Sequence, residues 1–347
     1  MIGSPYIARP HNSVRLTMLQ VLALLLPGAA AHAWYFGPGI WISLAWCSVL
    51  ALAFEAAALA LRRYPLRPFL GDGSALVTAW LFALTVPTLA PWWLYAVGML
   101  FAIVVTKHLY GGLGQNPFNP AMVGYAVLII SFPMQMTQWP GPLGVVPYTP
   151  DLAEALAIVF DVPGRLAADA YTMASPLDAL RTRLHSGQEI GTALSGLPGH
   201  DGTLDGEIVA LLFLLGGLVL LARRLITWHV PVAFLAGVVV SAGLLQWIDP
   251  ARHIGPLFHL LSGGVMLGAF FIATDPVSGC TTPLGKLIFA GLAGVLTLLI
   301  RTFGGFPDGV AFAILLMNIA APFIDTYTQP RVYGGRSQLG RRPGDGA

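Results

Sequence analysis

Ten apolar segments recur along this 347-residue chain, and apart from Glu55 none of them contains a carboxylate. They run over about Leu16–Trp34, Ile40–Leu61, Ser74–Leu89, Trp92–Thr106 and Ala121–Phe132. After a polar interval they resume over Ile208–Leu221, His229–Trp247, Leu257–Ala273, Leu284–Ile300 and Val310–Ile324. A helix needs roughly 20 apolar residues to cross a bilayer. With only 10% of residues charged, against about 25% in soluble domains, most of the chain has no means of facing water. The expected fold class is an all-α polytopic membrane protein with about ten transmembrane helices and the lipid bilayer as its solvent. No nucleic-acid partner is expected.

Several segments are too short for a full crossing, and the chain carries 40 Gly and 27 Pro. Both residues are tolerated in membrane helices where helices break around a site. The segments ending at Pro87 and Pro276, and those starting near Pro120 and Pro307, read as half-helices or broken helices. A faint internal repeat supports that reading. Leu81–Pro87 is similar to Phe270–Pro276, Val123–Leu128 is similar to Val310–Leu315, and the intervals between them nearly agree. Five segments per repeat is an odd number, so the two halves must sit inverted, an arrangement that places a polar site near the midplane. The same similarity also arises by chance between apolar segments. The domain reading is a first membrane half over 1–132, an extramembrane segment over 133–205, a second membrane half over 206–330 and a tail over 331–347.

Charge distribution orients the chain. Arg9, Arg15, Arg62, Arg63, Arg67, Lys107, Arg223, Arg224, Lys286 and the tail arginines fall on one side of ten spans, while the opposite short loops carry only Arg252 and Arg301. The positive-inside rule then puts both termini in the cytoplasm. The 133–205 segment lies outside, in the periplasm of a two-membrane bacterium. It holds Asp151, Glu154, Asp161, Asp169, Asp178, Glu189, Asp201 and Asp205, half of the chain's 16 acidic residues. No signal-peptide pattern precedes the first span, which is therefore expected to be retained. Trp34, Trp41, Trp92, Trp93 and Trp247 fit an interfacial aromatic belt. His108, His229 and His259, near span ends, read as interface anchors.

Four places offer chemistry. The outside segment contains Asp169-Ala-Tyr-Thr172-Met-Ala174-Ser175-Pro176-Leu177-Asp178. Ser175, Pro176 and Asp178 read as N-cap, first residue and third residue of a helix. The run Gly111-Gly-Leu-Gly-Gln-Asn116-Pro-Phe-Asn119-Pro120 lacks a GK[ST] ending and reads as a broken-helix loop. In it Asn116 and Asn119 are placed to bond either a cofactor ring or a helix end, and a tight turn capped by Asn119 is the competing reading. Asp275 lies in a second such loop, Ala273–Pro283. Glu55, inside a span, is a functional residue by default, with neutralisation by protonation or a neighbouring helix as the plain alternative. Only Cys47 and Cys280 occur, with no CxxC, so this chain offers no iron–sulfur or zinc framework.

These stretches together resemble the family of membrane subunits that contains RnfD of the Rnf electron-transport complexes and, more distantly, NqrB of the sodium-pumping NADH:quinone oxidoreductase. The resemblance runs from Ser4-Pro5 to about Gly335. It rests on the Asp169–Ser175 motif, the Gly111–Pro120 loop, Thr274–Pro283, Phe306–Gly309 and Asn318–Arg331. It implies a urea-transporter-like bundle of two inverted five-helix repeats. It also implies FMN joined by a phosphoester within a motif Asp-x-x-(Ser/Thr)-x-Ala-(Thr/Ser), matched here by Asp169, Thr172, Ala174 and Ser175. The family usually has Thr where this chain has Ser175, and either hydroxyl accepts a phosphoryl group. The implied activity is electron transfer between NADH and ferredoxin coupled to sodium or proton movement. A second, non-covalent flavin such as riboflavin is implied in the membrane part. The implied partners are other members of the Rnf complex, among them the periplasmic flavin protein RnfG and the membrane proteins RnfA and RnfE. The chain has neither an NADH-binding fingerprint nor cysteine clusters, so it forms no complete active site alone. The rival readings are the quinone-linked homologue, expected to be longer at its N-terminus, and a solute transporter or channel, which would not need the Asp169–Ser175 motif.

Overall fold

A computed structural model of the chain describes residues 14–143, 145–163, 170–195, 205–306 and 308–330. The first part opens with two long helices, α1 (Val14–Phe36) and α2 (Gly39–Leu61), then a short α3 (Leu66–Leu70) and α4 (Ser74–Ala83). Next come α5 (Trp92–Met99), continued by a π-helical stretch over Leu100–His108, and α6 (Pro120–Ser131). The polar interval forms α7 (Pro133–Thr137), β1 (Trp139–Pro140), α8 (Leu152–Val159), β2 (Thr172–Met173), α9 (Pro176–His185) and α10 (Ile190–Leu194). The second part has α11 (Asp205–Ala222), α12 (His229–Ile248), α13 (Pro256–Leu261), α14 (Val265–Leu267) with a π-helical Gly268–Ile272, α15 (Pro283–Phe303) and α16 (Val310–Thr328).

Among the described residues, α1, α2, α12, α15 and α16 are long and apolar enough to cross a membrane, and α4, α5 with its π-helical continuation, α6 and α11 are shorter apolar helices. This is a multi-pass, predominantly helical membrane protein. The outline of apolar segments therefore appears where hydropathy put it, and the segment Leu257–Ala273, expected as a half-helix or broken helix, is interrupted at Ser262–Gly264 between α13 and α14. Two features differ. The expected half-helix after Pro307 is instead the 19-residue α16. Within the expected all-helical fold lies one small antiparallel strand pair, Trp139 opposite Met173 and Pro140 opposite Thr172.

Helix starts follow local chemistry. Asn119 caps α6 and Thr282 caps α15, each with Pro at the first helical position, where a missing N–H costs nothing. Asp151 and Glu154 form a capping box at α8, and the Tyr148 hydroxyl donates to Glu154. Non-helical backbone between α4 and α5 is satisfied by side chains: the Tyr95 hydroxyl donates to the Pro87 carbonyl at 2.7 Å and Ser43 donates to the Thr88 carbonyl at 3.0 Å. The later break is held from α6 and α16, where the Asn119 amide donates to the Ile272 carbonyl and the Asn318 amide to the Ser278 carbonyl. Such bonds are obligatory where no water reaches the backbone.

The most extensive helix pair is α12 with α15, and α1 against α11 and α6 against α16 join the first part of the chain to the second. Close approach of α12 and α15 depends on small residues, as in membrane helix pairs generally. A Cβ on Gly294 would lie 2.1 Å from the Phe234 carbonyl oxygen, and one on Gly237 would lie 2.3 Å from that of Gly291. Both obstacles are backbone, which cannot rotate away. Gly294→Val is therefore expected to destabilise the protein by at least the ~1–3 kcal/mol typical of overpacking. Gly291→Ala, whose Cβ would meet nothing closer than 3.8 Å, should be near neutral. Thermal unfolding of the two detergent-purified variants checks the contrast.

Candidate functional site

The strand pair β1–β2 delivers the chain to Ser175 in extended conformation, and α9 starts immediately after it. Ser175 is the N-cap, its Oγ accepting from the Asp178 N–H at 3.3 Å, with Pro176 at the first helical position. The helix start expected from Ser175, Pro176 and Asp178 is thus present. The same serine also lines a largely apolar cavity of about 290 Å³. Trp139, Met173 and Ala174 reach this cavity from the strand pair, Thr85, Met122 and Tyr125 from the first part of the chain, and Phe213, Met266 and Val310 from the second. His32, Glu207 and Asp308 are its histidine and acidic lining residues.

Asp308 is the fixed charge in that wall. Its Oδ1 accepts from Arg301 Nε at 3.2 Å and Nη2 at 3.1 Å, and its Oδ2 accepts from the Gly264 N–H at 2.8 Å. Arg301 also donates from Nη1 to the His259 carbonyl at 2.8 Å and from Nη2 to the Ser262 carbonyl at 3.1 Å. One ion pair therefore closes the break between α13 and α14. Gly263 sits at φ +69, and a Cβ there would lie 2.6–2.8 Å from Leu177, Asp308 and Arg301, so only glycine fits. Arg301, expected in a short loop, is instead a buried residue of α15. The available signal was a basic residue directly after an apolar run, seven positions before an aspartate.

The other candidates are elsewhere. Glu55 is buried, 1% exposed, and pairs with Lys107, whose Nζ lies 2.6 Å from Glu55 Oε1 and 2.8 Å from Ser74 Oγ. His108 Nε2 is 3.6 Å from the same carboxylate oxygen. Lys107 is thus a buried partner and not an exposed loop charge, and His108 and His259, expected as interface anchors, are buried. The alternative of a carboxylate neutralised by a neighbouring helix describes this arrangement. Asn116 donates to the Phe118 carbonyl, and Asn119 accepts from Met122 N–H and donates to Ile272. Both are thereby committed to backbone groups. Asp275 accepts from Val277 N–H and the Ser278 hydroxyl in a local turn. None of Glu55, Asn116, Asn119 and Asp275 lines the Ser175 cavity, although Met122 and Ile272, which Asn119 ties together, do. Thr172 lies on β2 opposite Pro140, and Asp169 falls outside the described residues. Cys47 and Cys280 are free and buried. Among the described residues no cluster of His, Cys, Asp or Glu has the form of a metal site.

Comparison with known sequences bears on this geometry. A model of the NQR2, RnfD, RnfE family matches residues 1–334. The chain belongs to this family. A protein of Pseudomonas aeruginosa, named as the D-type subunit of an ion-translocating oxidoreductase complex, is 51% identical over 347 residues, covering 99% of this chain and 98% of that protein. Proteins of the same name from Cronobacter sakazakii and Vibrio cholerae are each 48% identical over 346 residues, covering 96% of this chain and 98% of theirs. The family resemblance read from the motifs is borne out along the chain.

The buried ion pair yields a stability test. Removing one partner leaves an uncompensated buried charge and typically costs about 3–5 kcal/mol, whereas replacing both costs much less. Lys107→Met is expected to destabilise the protein on that scale, and Lys107→Met with Glu55→Gln to recover most of the loss. Equal unfolding temperatures for the single and double variants would show that the pair is not coupled.

Proposed function

We propose that this chain is the RnfD component of an Rnf-type ion-translocating oxidoreductase and carries one FMN in phosphoester linkage to Ser175. The observation that carries the proposal is the position of Ser175, a hydroxyl at the wall of a largely apolar cavity of about 290 Å³ and at the N-terminus of a 10-residue helix. The residues present suit the group. Trp139, Met122, Phe213 and Tyr125 give the apolar and aromatic surface that a planar ring system buries against. The amides that open α9 favour a phosphate, and an esterified Oγ keeps a lone pair for the Asp178 N–H, so cap and attachment coexist. FMN, when bound, supplies one- and two-electron redox chemistry, and the protein's part is to position it and set its surroundings. Here those surroundings are the apolar lining, the fixed Arg301–Asp308 pair, and the Glu207 and His32 side chains.

In this reading the electrons pass between NADH and ferredoxin through partner proteins of the complex, including the periplasmic flavin protein RnfG and the membrane proteins RnfA and RnfE. The membrane part would consist of ten segments in two inverted repeats with cytoplasmic termini. Tethering on the outer side suits a cofactor that would otherwise be lost from the periplasm. A second, non-covalent flavin such as riboflavin would sit in the membrane part. Glu55, buried with Lys107 inside a span, is proposed to lie on the path of the coupling sodium or proton.

Three measurements follow from this reading. In-gel fluorescence of the denatured protein, from cells that make the attaching enzyme, should vanish in Ser175→Ala and persist in Ser175→Thr; fluorescence surviving in Ser175→Ala would move attachment to another hydroxyl, Thr172 first. Glu55→Gln should reduce ion transport in reconstituted vesicles while leaving the bound flavin in place, and unchanged transport would leave Glu55 a structural residue. A phosphatase fusion near Gly187 should be active and one after Arg336 inactive, the reverse result overturning the orientation.

A further inference from the structure

A second cavity, of about 690 Å³, lies on the other side of the Arg301–Asp308 pair, between α9 and the facing ends of α12 and α15. Its character is different from that of the Ser175 cavity. Arg181, His185, Arg252, His253 and Arg301 line it, with Glu189 and Asp249 as the opposing charges. Arg301 is already committed to Asp308 and two carbonyls, and Arg252 faces Asp249 at 3.9 Å. Arg181 has no carboxylate partner among the described residues. Its Nη1 donates to the Gly305 carbonyl at 2.8 Å, while its Nε is buried without a hydrogen-bond partner. A buried guanidinium N–H left unpaired is costly, which marks a place where an acceptor is missing.

The apolar surroundings say what kind of acceptor. Phe303 lines the cavity, stacks edge-on with His253 and is 65% exposed. Trp247 and Ile248, at the end of α12 just before Asp249, are 81% and 71% exposed, and Leu257 is 68% exposed. In a multi-pass membrane protein these side chains stand where acyl chains run, and a tryptophan at a helix end is typical of the headgroup level. A polar pocket at the end of membrane helices that holds one guanidinium without a carboxylate partner, Arg181, and is lined by the exposed Phe303 matches a phospholipid in both its parts.

We infer that this cavity binds the phosphodiester headgroup of an anionic membrane phospholipid, with Arg181 as the principal phosphate donor and Arg252 as the second cation, the acyl chains lying along Trp247, Leu257 and Phe303. The inference rests on the membrane character of the chain and not on the flavin proposal. A chain without flavin would still bind the lipid, and loss of lipid would leave the Ser175 linkage intact.

The test uses the full chain, purified in detergent and depleted of lipid. Phosphatidylglycerol is titrated while thermal unfolding is followed, and the retained lipid is counted by native mass spectrometry. The expected result is a rise in unfolding temperature and one retained phosphatidylglycerol. Diacylglycerol of the same chains and inorganic phosphate should give no rise. Arg181→Gln should weaken retention about ten-fold or more, the scale of a lost charge-assisted hydrogen bond, and Arg181→Lys should restore part of it. Arg252→Gln supplies the same test, with a smaller loss, if Arg181→Gln does not fold. Equal protection by inorganic phosphate would make this a free-anion site, and equal protection by diacylglycerol would make it an apolar contact. Retention unchanged in both arginine variants would remove the site altogether.

Discussion

Helices that break inside an apolar solvent release backbone carbonyls and amides that water cannot reach, and the rest of this structure depends on how those groups are satisfied. Each unpaired group would cost several kcal/mol in hydrocarbon. Here they are met by a small set of buried polar side chains. Ser43 and Tyr95 hold the segment between α4 and α5. Asn119 and Asn318 hold the loop after the π-helical Gly268–Ile272, and the two asparagines meet each other, Asn318 Oδ1 accepting from the Asn119 N–H at 3.0 Å. Because Asn119 belongs to the first part of the chain and Ile272 and Asn318 to the second, the later break is also where the two parts are fastened together.

Two buried cations follow the same rule. Lys107, at the end of the π-helical continuation of α5, reaches Ser74 at the start of α4 and is neutralised by Glu55. Asp72 accepts from the Ser74 N–H at 2.7 Å. Arg301, near the end of α15, reaches the Ser262 carbonyl before α14 and is neutralised by Asp308, which accepts from the Gly264 N–H. In both parts a basic residue late in one helix and a carboxylate together secure the start of an interrupted helix. The two arrangements are alike in their local chemistry. The consequence is that the charges with most influence inside the bundle are paired ones, whose desolvation is offset only while both partners remain.

The second of these pairs separates two cavities of unlike chemistry. On one side Asp308 belongs to the apolar space that reaches Ser175, and on the other Arg301 belongs to the polar space beneath Arg181. Leu177, on the first turn of α9, lines both. The short strand pair and α9, drawn from the most polar stretch of the chain, thus act as a cover over the ends of the membrane helices. The helix cap that holds Ser175 in place is what fixes its hydroxyl at the cavity wall.

Much of this was legible in the amino-acid sequence because it depends on local chemistry. Apolar segments with almost no carboxylates must leave water, so the membrane helices were found near their true positions. Ser175 and Asn119 each precede a proline, and cap geometry is set within three residues, so those helix starts needed no tertiary information. Other features depend on residues far apart in the chain. That Lys107 and Arg301 are buried partners and not loop charges, that the break in Leu257–Ala273 falls at Ser262–Gly264, that His108 and His259 are enclosed, and that Ser175 meets Thr85, Tyr125 and Phe213 around one cavity are all decided by contacts between distant segments. Hydropathy records the preference of each residue for lipid or water. It does not record which partner will neutralise a charge, or where several helix ends leave a space between them, because those are properties of the packed helices together.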